Sequence, residues 1–318
     1  METNVRPAGW KTLLAFAIVY LVWGSTFFAI RVGVREVPPF LLAGMRFLAA
    51  GVILFVWMLG KGTPIPARRE WAAASGLAVL IFVMDYGLVF WAEQKVPSGI
   101  TAVMLATIPV FMSLLEIILL RTQRLTWRLT LALLVGVLGV AILMSHSLAF
   151  GEAPIAATGA AALLVASLSW STAAILTRKL SLPASKAMSS AVQMLCGGVL
   201  LMLAATIFGE FHGFRPQSVS RGAWFALIYL IVAGSIVGFT AYVWLLHHES
   251  PTKVGTYAYV NPVVAVLVGY FLGGEVIGPR TLLGTLLVLV SVVLITTMPA
   301  TQRNPALQTQ EVESVAEP

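Results

Sequence analysis

Charge is what this sequence has little of. Asp, Glu, Lys and Arg make up 10% of its 318 residues, against roughly 25% in a soluble domain. So few charges cannot cover a water-facing surface, whereas lipid accepts apolar side chains and penalises charged ones. Cysteine is nearly absent as well. Cys196, in the apolar run Met194-Leu195-Cys196-Gly197, stands alone, which excludes an intramolecular disulfide and a cysteine metal cluster. There is no Gly-x-x-x-x-Gly-Lys-Ser/Thr phosphate loop, no His-Glu-x-x-His pair and no Gly-x-Ser-x-Gly elbow, so the sequence carries no signature of direct ATP use or of the commonest hydrolytic chemistries. The formal net charge of +7 comes without a basic stripe interleaved with aromatics, which excludes nucleic acid as the natural partner.

What is abundant is apolar sequence, at 59% of residues. A membrane helix needs about 20 mostly apolar residues. Ten segments qualify, at roughly 12–30, 39–59, 71–92, 98–120, 128–145, 158–177, 187–208, 224–246, 254–273 and 280–297. Between them lie Pro, Gly and charge, as in Val37-Pro38-Pro39, Lys61-Gly62-Thr63-Pro64 and Val96-Pro97-Ser98-Gly99. The first segment lacks a small-residue cleavage site before its end and runs on to Arg31, so it reads as a retained helix and not a signal peptide. The polar stretch 298–318 reads as a disordered tail.

Basic residues set the orientation. With residues 1–11 in the cytoplasm, the inner segments hold Arg6, Lys11, Lys61, Arg68, Arg69, Arg121, Arg124, Arg128, Arg178, Lys179, Lys186, Lys253 and Arg303. The outer segments hold only Arg31, Arg35, Lys95, Arg215, Arg221 and Arg280, and Arg46 is intrahelical. This bias places both termini in the cytoplasm.

The chain also repeats itself. Residues 23–54 laid over 170–201, an offset of 147, pair Trp23 with Trp170, Ser25 with Thr172, Arg31 with Arg178 and Gly51 with Gly198 without a gap. Further on, Ala92 to Ser98 resembles Leu246 to Thr252, Pro109 corresponds to Pro262, and Arg128 to Arg280. The two repeats are residues 12–145 and 158–297. Five helices each is an odd number, so the second repeat enters the membrane upside down. The predicted fold is an all-α integral membrane protein of ten transmembrane helices in two inverted five-helix repeats, the architecture of many secondary transporters.

The run Tyr20-Leu-Val-Trp-Gly-Ser-Thr-Phe-Phe-Ala-Ile-Arg31, with Pro39-Phe-Leu-Leu-Ala-Gly-Met-Arg46-Phe, resembles the EamA family of the drug/metabolite transporter superfamily. Val96-Pro-Ser-Gly-Ile-Thr-Ala102, Tyr257-Ala-Tyr-Val-Asn-Pro262 and Gly273-Gly-Glu275 look like its YedA-like exporter branch. The resemblance spans about residues 12–297 and rests on the order, spacing and double occurrence of the motifs. It implies ten helices in a bacterial inner membrane and export of small metabolites, amino acids or drug-like amphipathic solutes without ATP. One departure is that Glu275 has Thr122 as its first-half counterpart. Glu275 therefore reads as a loop or helix-end feature, not half of a symmetric ion site.

Three charges lie well inside helices. Arg46 and Asp85 each sit about seven residues from the outer end of helices 2 and 3, hence at similar depth. An unpaired charge there costs at least about 2.5–3.5 kcal/mol, which predicts a buried Arg46–Asp85 pair; a wet substrate or proton site is the competing reading. The position equivalent to Arg46 is Gln193, so any ion pair is asymmetric. Glu116, near the inner end of helix 4, either snorkels toward Arg121 or serves as a cytoplasmic-side gate.

Pro109 and Pro262 fall near the middle of helices 4 and 9. Proline frees the carbonyl four residues back, here Leu105 and Ala258, and helix breaks at matching positions point to a transporter site. Asn261 adds a polar side chain at that depth. Trp23 and Trp170, each followed by small polar residues, either pack or line a central cavity. Of Tyr257 and Tyr259, which face different sides of one helix, at most one can join them. Tyr86, Trp91, Tyr242 and Trp244 are weaker candidates. The adjacent rings of His247 and His248 diverge on a helix, so neither a metal nor any other cofactor is expected. The candidate site is thus a cavity of Trp23, Asp85, Trp170, Tyr257 and Asn261, for a small-molecule solute in a lipid bilayer. An intramembrane enzyme would need a clustered nucleophile or metal set. A scaffold or receptor would need neither buried charge nor midplane breaks. Neither alternative fits these residues as well as a transporter.

Overall fold

A computed structural model describes residues 9–115, 118, 126–145, 156–177, 180–248 and 257–297. Glu116, His247, His248 and Tyr259 with respect to their side chains, and the tail 298–318, lie outside what is described. Every regular element among the described residues is a helix, with no strand among them.

The helices are α1 (Gly9–Gly33), α2 (Pro39–Gly60), α3 (Arg68–Ala92), α4 (residues 98–115), α5 (Trp127–Met144), α6 (Ala157–Thr177), α7 (Lys186–Ile207), α8 (residues 221–248), α9 (Tyr257–Gly273) and α10 (Pro279–Thr297). Six are long and apolar enough to cross a membrane: α1, α2, α3, α6, α7 and α8. In α4, α5, α9 and α10 the apolar helix runs for 10–17 residues. Large apolar side chains such as Leu13, Val56, Leu134, Phe225 and Phe271 are exposed around the outside, as a lipid-facing surface requires.

Three helices are irregular. In α3, π-helix over Val79–Gly87 separates α-helical Arg68–Ala78 and Leu88–Ala92. In α8, π-helix over Leu230–Val237 separates Arg221–Tyr229 from Gly238–His248. The helix α4 breaks into Ser98–Leu105 and Ile108–Leu115, with a turn at Ala106 and Thr107. This turn lies two residues upstream of Pro109, where a break was expected. At Pro262, where the matching break was expected, α9 runs continuously through the proline. Pro262 is the sixth residue of the described helix, and the helical backbone continues past it to Gly273.

The packing pairs distant segments. The main partner of α2 is α7, and that of α5 is α10; α1 lies against α8 and α9, and α6 against α3 and α4. Where α2 crosses α7, a Cβ on Gly51 would stand 2.7 Å from the Leu195 backbone nitrogen, and one on Gly198 would stand 2.5 Å from that of Leu48. The absence of side chains at Gly51 and Gly198 lets the two backbones touch.

Candidate functional site

Four polar contacts tie the chain together at one end of the bundle, and each meets a helix terminus. The starts of α2 and α4 have proline at the capping position, Pro38 and Pro97, and proline offers no side-chain acceptor. Carboxylates from elsewhere fill that role. Glu210, in the α7–α8 connection, accepts from the backbone nitrogens of Leu41 (2.7 Å) and Phe40 (3.3 Å). Glu275, in the α9–α10 turn, accepts from the nitrogen and hydroxyl of Ser98 (both 2.7 Å) and from the Gly99 nitrogen (3.0 Å). Glu36, after α1, accepts from the nitrogen and hydroxyl of Ser220 (both 2.6 Å), the capping residue of α8. A carboxylate suits each helix start, where unpaired N–H groups and the positive dipole end meet. At the other polarity, the Arg31 guanidinium donates to the carbonyls of Glu93 and of Val96 (2.8 Å), just past the end of α3. This end of the molecule is called the clamped end below.

The hydrogen bonds from Ser220 hold the Glu36 carboxyl below the usual carboxylate range. Burial pushes that of Glu210 up, against the pull of the Leu41 and Phe40 N–H groups. Glu93, in the turn after α3, is 0% exposed, and neither carboxylate oxygen has a hydrogen-bond partner. Burial drives its carboxyl well above the usual range, and the nearby Arg31 opposes this only in part.

The candidate cavity residues lie deeper. The Trp23 ring packs on Tyr242 (centroids 5.1 Å apart) and, edge-on, on Tyr257 (5.3 Å). Its Nε1 donates to the Gly234 carbonyl (3.0 Å), inside the π-helical stretch of α8. The neighbour of Trp170, Ser169, donates to the Leu80 carbonyl (2.9 Å), inside the π-helical stretch of α3. A π turn redirects the backbone bonds of the helix and leaves carbonyls open to such donors. Trp170 meets Tyr86 edge-on (6.0 Å), and Tyr86 packs on Phe47 (4.6 Å). Ser171 donates to the Ile108 carbonyl (3.1 Å) beside the break in α4. Asn261 is buried with its Oδ1 unpartnered. Trp23, Trp170, Tyr86, Tyr242 and Tyr257 are half-buried.

The expected Arg46–Asp85 pair is not formed. Both side chains are buried, but no ion pair joins them among the described residues, and the Arg46 Nη1 and Asp85 Oδ1 lack partners. Arg46 turns toward α8, where Nε donates to the Ser235 hydroxyl (3.0 Å). Its guanidinium lies over the rings of Phe47 (4.6 Å) and Tyr86 (5.3 Å), contacts that partly replace hydration. Asp85 is within electrostatic reach of Tyr86 and Tyr257. The two side chains were expected to converge, and they do not. Asp85 lies in the π segment, whose wider turn changes the angular spacing on which a helical-wheel argument depends.

A concavity of about 540 Å³ between α2, α7 and α8 is lined by Met45, Val52, Ile53, Met202, Leu227 and Ile231, among others, and holds none of the expected site residues. Among the described residues no three His, Cys, Asp or Glu side chains gather as metal ligands. Sequence reasoning passed over Glu93, Glu36, Glu210, Gly234 and Ser235. For Glu93 a signal existed: it occupies the position that the repeat matches to His247.

Comparison with known proteins agrees with this architecture. The model of the EamA-like transporter family matches residues 10–145 and 157–297. The chain is 37% identical over 284 residues to an Escherichia coli protein described as the uncharacterized inner membrane transporter YedA, covering 89% of each. It is 26% identical to protein PecM of Dickeya dadantii, covering 86% of this chain and 88% of that one. It is 24% identical to the uncharacterized transporter YoaV of Bacillus subtilis, covering 87% and 94%. A crystal structure 20% identical in sequence superposes with a TM-score of 0.62, covering 91% of this chain and 99% of that one, and so shares the fold.

Proposed function

The chain belongs to the EamA-like transporter family, and from that premise we propose that it exports small amphipathic solutes, such as metabolites, amino acids or drug-like compounds, across the bacterial inner membrane by alternating access. In this reading ten helices form two inverted halves, 12–145 and 158–297, with both termini cytoplasmic, and the clamped end faces outward. Reciprocal contacts support the inversion. Gly51 meets Leu195 as Gly198 meets Leu48, with the same offset of 147. A Cβ on Gly136 would meet Ser291, and one on Gly139 would meet Val288, which exchange under the offset of 152 given by Arg128 and Arg280.

The observation that carries the proposal is the pair of tryptophan-bearing helices docked on opposite π segments, Trp23 of α1 on α8 and Ser169-Trp170 of α6 on α3. Between them stand aromatic faces, the unpartnered Asn261 and Asp85 oxygens and the Arg46 guanidinium. Such a set offers apolar area and a few fixed polar groups to one amphipathic solute. The clamps close the outward end, so the solute would enter from the cytoplasm in this conformation.

The test is flux in everted inner-membrane vesicles with a metabolite panel, comparing Trp23→Ala, Trp170→Ala and Asn261→Ala, each normalised to folded protein. Reduced flux at unchanged protein level is expected. Normal rates for all three would show that these residues only pack helices.

A further inference from the structure

Glu93 stands apart among the carboxylates of the clamped end. It is completely buried, and both carboxylate oxygens lack a donor. The contrast with Glu36, Glu210 and Glu275 is instructive, since those carboxylates lie at the same end and all accept helix N–H groups. Arg31, the obvious partner, uses Nη1 on the backbone carbonyls of Glu93 and Val96, and its Nε is left without an acceptor. An ionised carboxylate removed from water needs hydrogen bonds or a paired cation, and without them it takes up a proton instead. The spare Arg31 Nε is what an ionised Glu93 would need once the surrounding helices part.

The charged groups around it are few. Arg31 reaches it from α1, Arg46 from α2 and Glu275 from the α9–α10 turn. Arg35 acts on Arg31, Lys95 of the same turn lies over the Trp91 ring at 4.1 Å, and α6 packs Gly159 against Val96. Two cations lie nearby, and neither is bonded to the carboxylate.

We propose that the Glu93 carboxyl is a proton-binding site whose occupancy is tied to closure of the clamped end. The proton comes from water on that side as the end closes, forming the neutral acid, and returns to that water as the end opens and the carboxylate meets Arg31. The proposal rests on the alternating-access reading and adds to it a ligand, the proton, and the residue that takes it. It also fixes a sign. Protonating Glu36 or Glu210 would weaken contacts that hold this end closed, whereas protonating Glu93 closes it.

The experiment uses full-length protein in liposomes, with Cys196→Ala and spin labels at Gln94→Cys and Gln217→Cys, exposed positions in opposite halves at the clamped end. Distance distributions are recorded across pH by pulsed electron resonance. The closed population should grow on acidification, the closed-to-open ratio changing up to about tenfold per pH unit for one linked proton. Glu93→Gln should remain closed throughout, while Glu70→Gln, at the start of α3, should follow the parent. A Glu93→Gln protein that titrates normally, or an end that opens in acid, overturns the proposal. A single closed distance at all pH values in every variant overturns alternating access as well. If Glu93→Gln does not fold, infrared difference spectra of Glu93→Asp and the parent decide: each should show a buried carboxylic acid band vanishing at alkaline pH, and its absence from the parent refutes the proposal.

Discussion

Removing the Glu275 carboxylate should unfasten α4 from the α9–α10 turn. In Glu275→Ala the two backbone donors of Ser98 and Gly99 and the Ser98 hydroxyl lose their acceptor. Pro97 has no side-chain acceptor to substitute, and Ser98 is fully buried. A lost cap costs about 0.5–2 kcal/mol, and each buried donor left unpaired costs about 1–3 kcal/mol. Partial rehydration offsets some of this, giving about 2–4 kcal/mol in all. Glu275→Gln keeps one carbonyl acceptor and should lose about half as much. Gly269→Ala should imitate the Ala variant, because its Cβ would lie 2.4 Å from the carboxylate oxygen. The chain supplies its own reporter. Cys196 is the only thiol, it is half-buried, and its sulfur receives a hydrogen bond from Ser75 (3.3 Å). A maleimide dye that fluoresces on reaction therefore follows unfolding in detergent at a fixed heating rate. The midpoints should fall in the order parent, Gln, then Ala, with the Ala variant lower by about 4–8 °C. Equal midpoints for the Ala variant and the parent, or a Gln variant less stable than Ala, would refute the capping argument.

Further outcomes follow from the same contacts. Gly51→Val and Gly198→Val should each destabilise by about 1–3 kcal/mol, and by similar amounts; retention of the monodisperse peak after heating measures this, and a large effect at only one site counts against reciprocal packing. The Glu36 carboxyl is held below its ordinary range, so its clamp stabilises above that range and is lost as pH falls through the lowered value. The midpoint difference between the parent and Glu36→Gln should accordingly shrink toward acid, and a pH-independent difference would contradict the assignment. Arg46→Met and Asp85→Asn should add within about 0.5 kcal/mol, since no ion pair joins them; stronger coupling in a double-mutant cycle would reinstate the pair.

The helix limits were legible because membrane helices announce themselves by length: α2 was expected at 39–59 and is found at Pro39–Gly60, and α7 at 187–208 against Lys186–Ile207. The correspondence of Trp23 with Trp170 could be seen in the sequence because an ungapped offset needs no knowledge of contacts. The irregular backbone was only half legible. Proline is visible in sequence and marked the neighbourhood of the α4 break, but nothing in Val79–Gly87 or Leu230–Val237 announces a π turn, since its cause is the company of neighbouring helices. The missing Arg46–Asp85 pair follows from that one blind spot. Glu36 and Glu210 were missed for another reason. Each acts on a helix start that is distant in sequence, and a partner 170 or 184 residues away leaves no local pattern.

Two kinds of contact join the halves, and they differ in how they can move. The α2–α7 and α5–α10 crossings bring backbones together through glycine. Dense packing of this kind has no second arrangement nearby and is lost if the helices separate. The remaining links are polar: three carboxylate caps at one end and the Trp23 and Ser169 bonds to π-segment carbonyls. Hydrogen bonds of that kind can be exchanged for water at a net cost of about 0.5–1.5 kcal/mol each, somewhat more for the charged ones. The molecule is therefore least resistant to a motion that keeps the glycine crossings as pivots and trades the caps for solvent. The caps hold the starts of α2, α4 and α8, and α4 and α8 are also helices with irregular backbone. A bend there costs less than it would in a regular helix, because fewer intrahelical bonds remain to be broken. Closure at one end and pliancy in the middle thus arise from the same helices. Glu93 sits where the α3 end and α1 meet at that end, so the proposed proton site lies on a contact that such a motion would have to part.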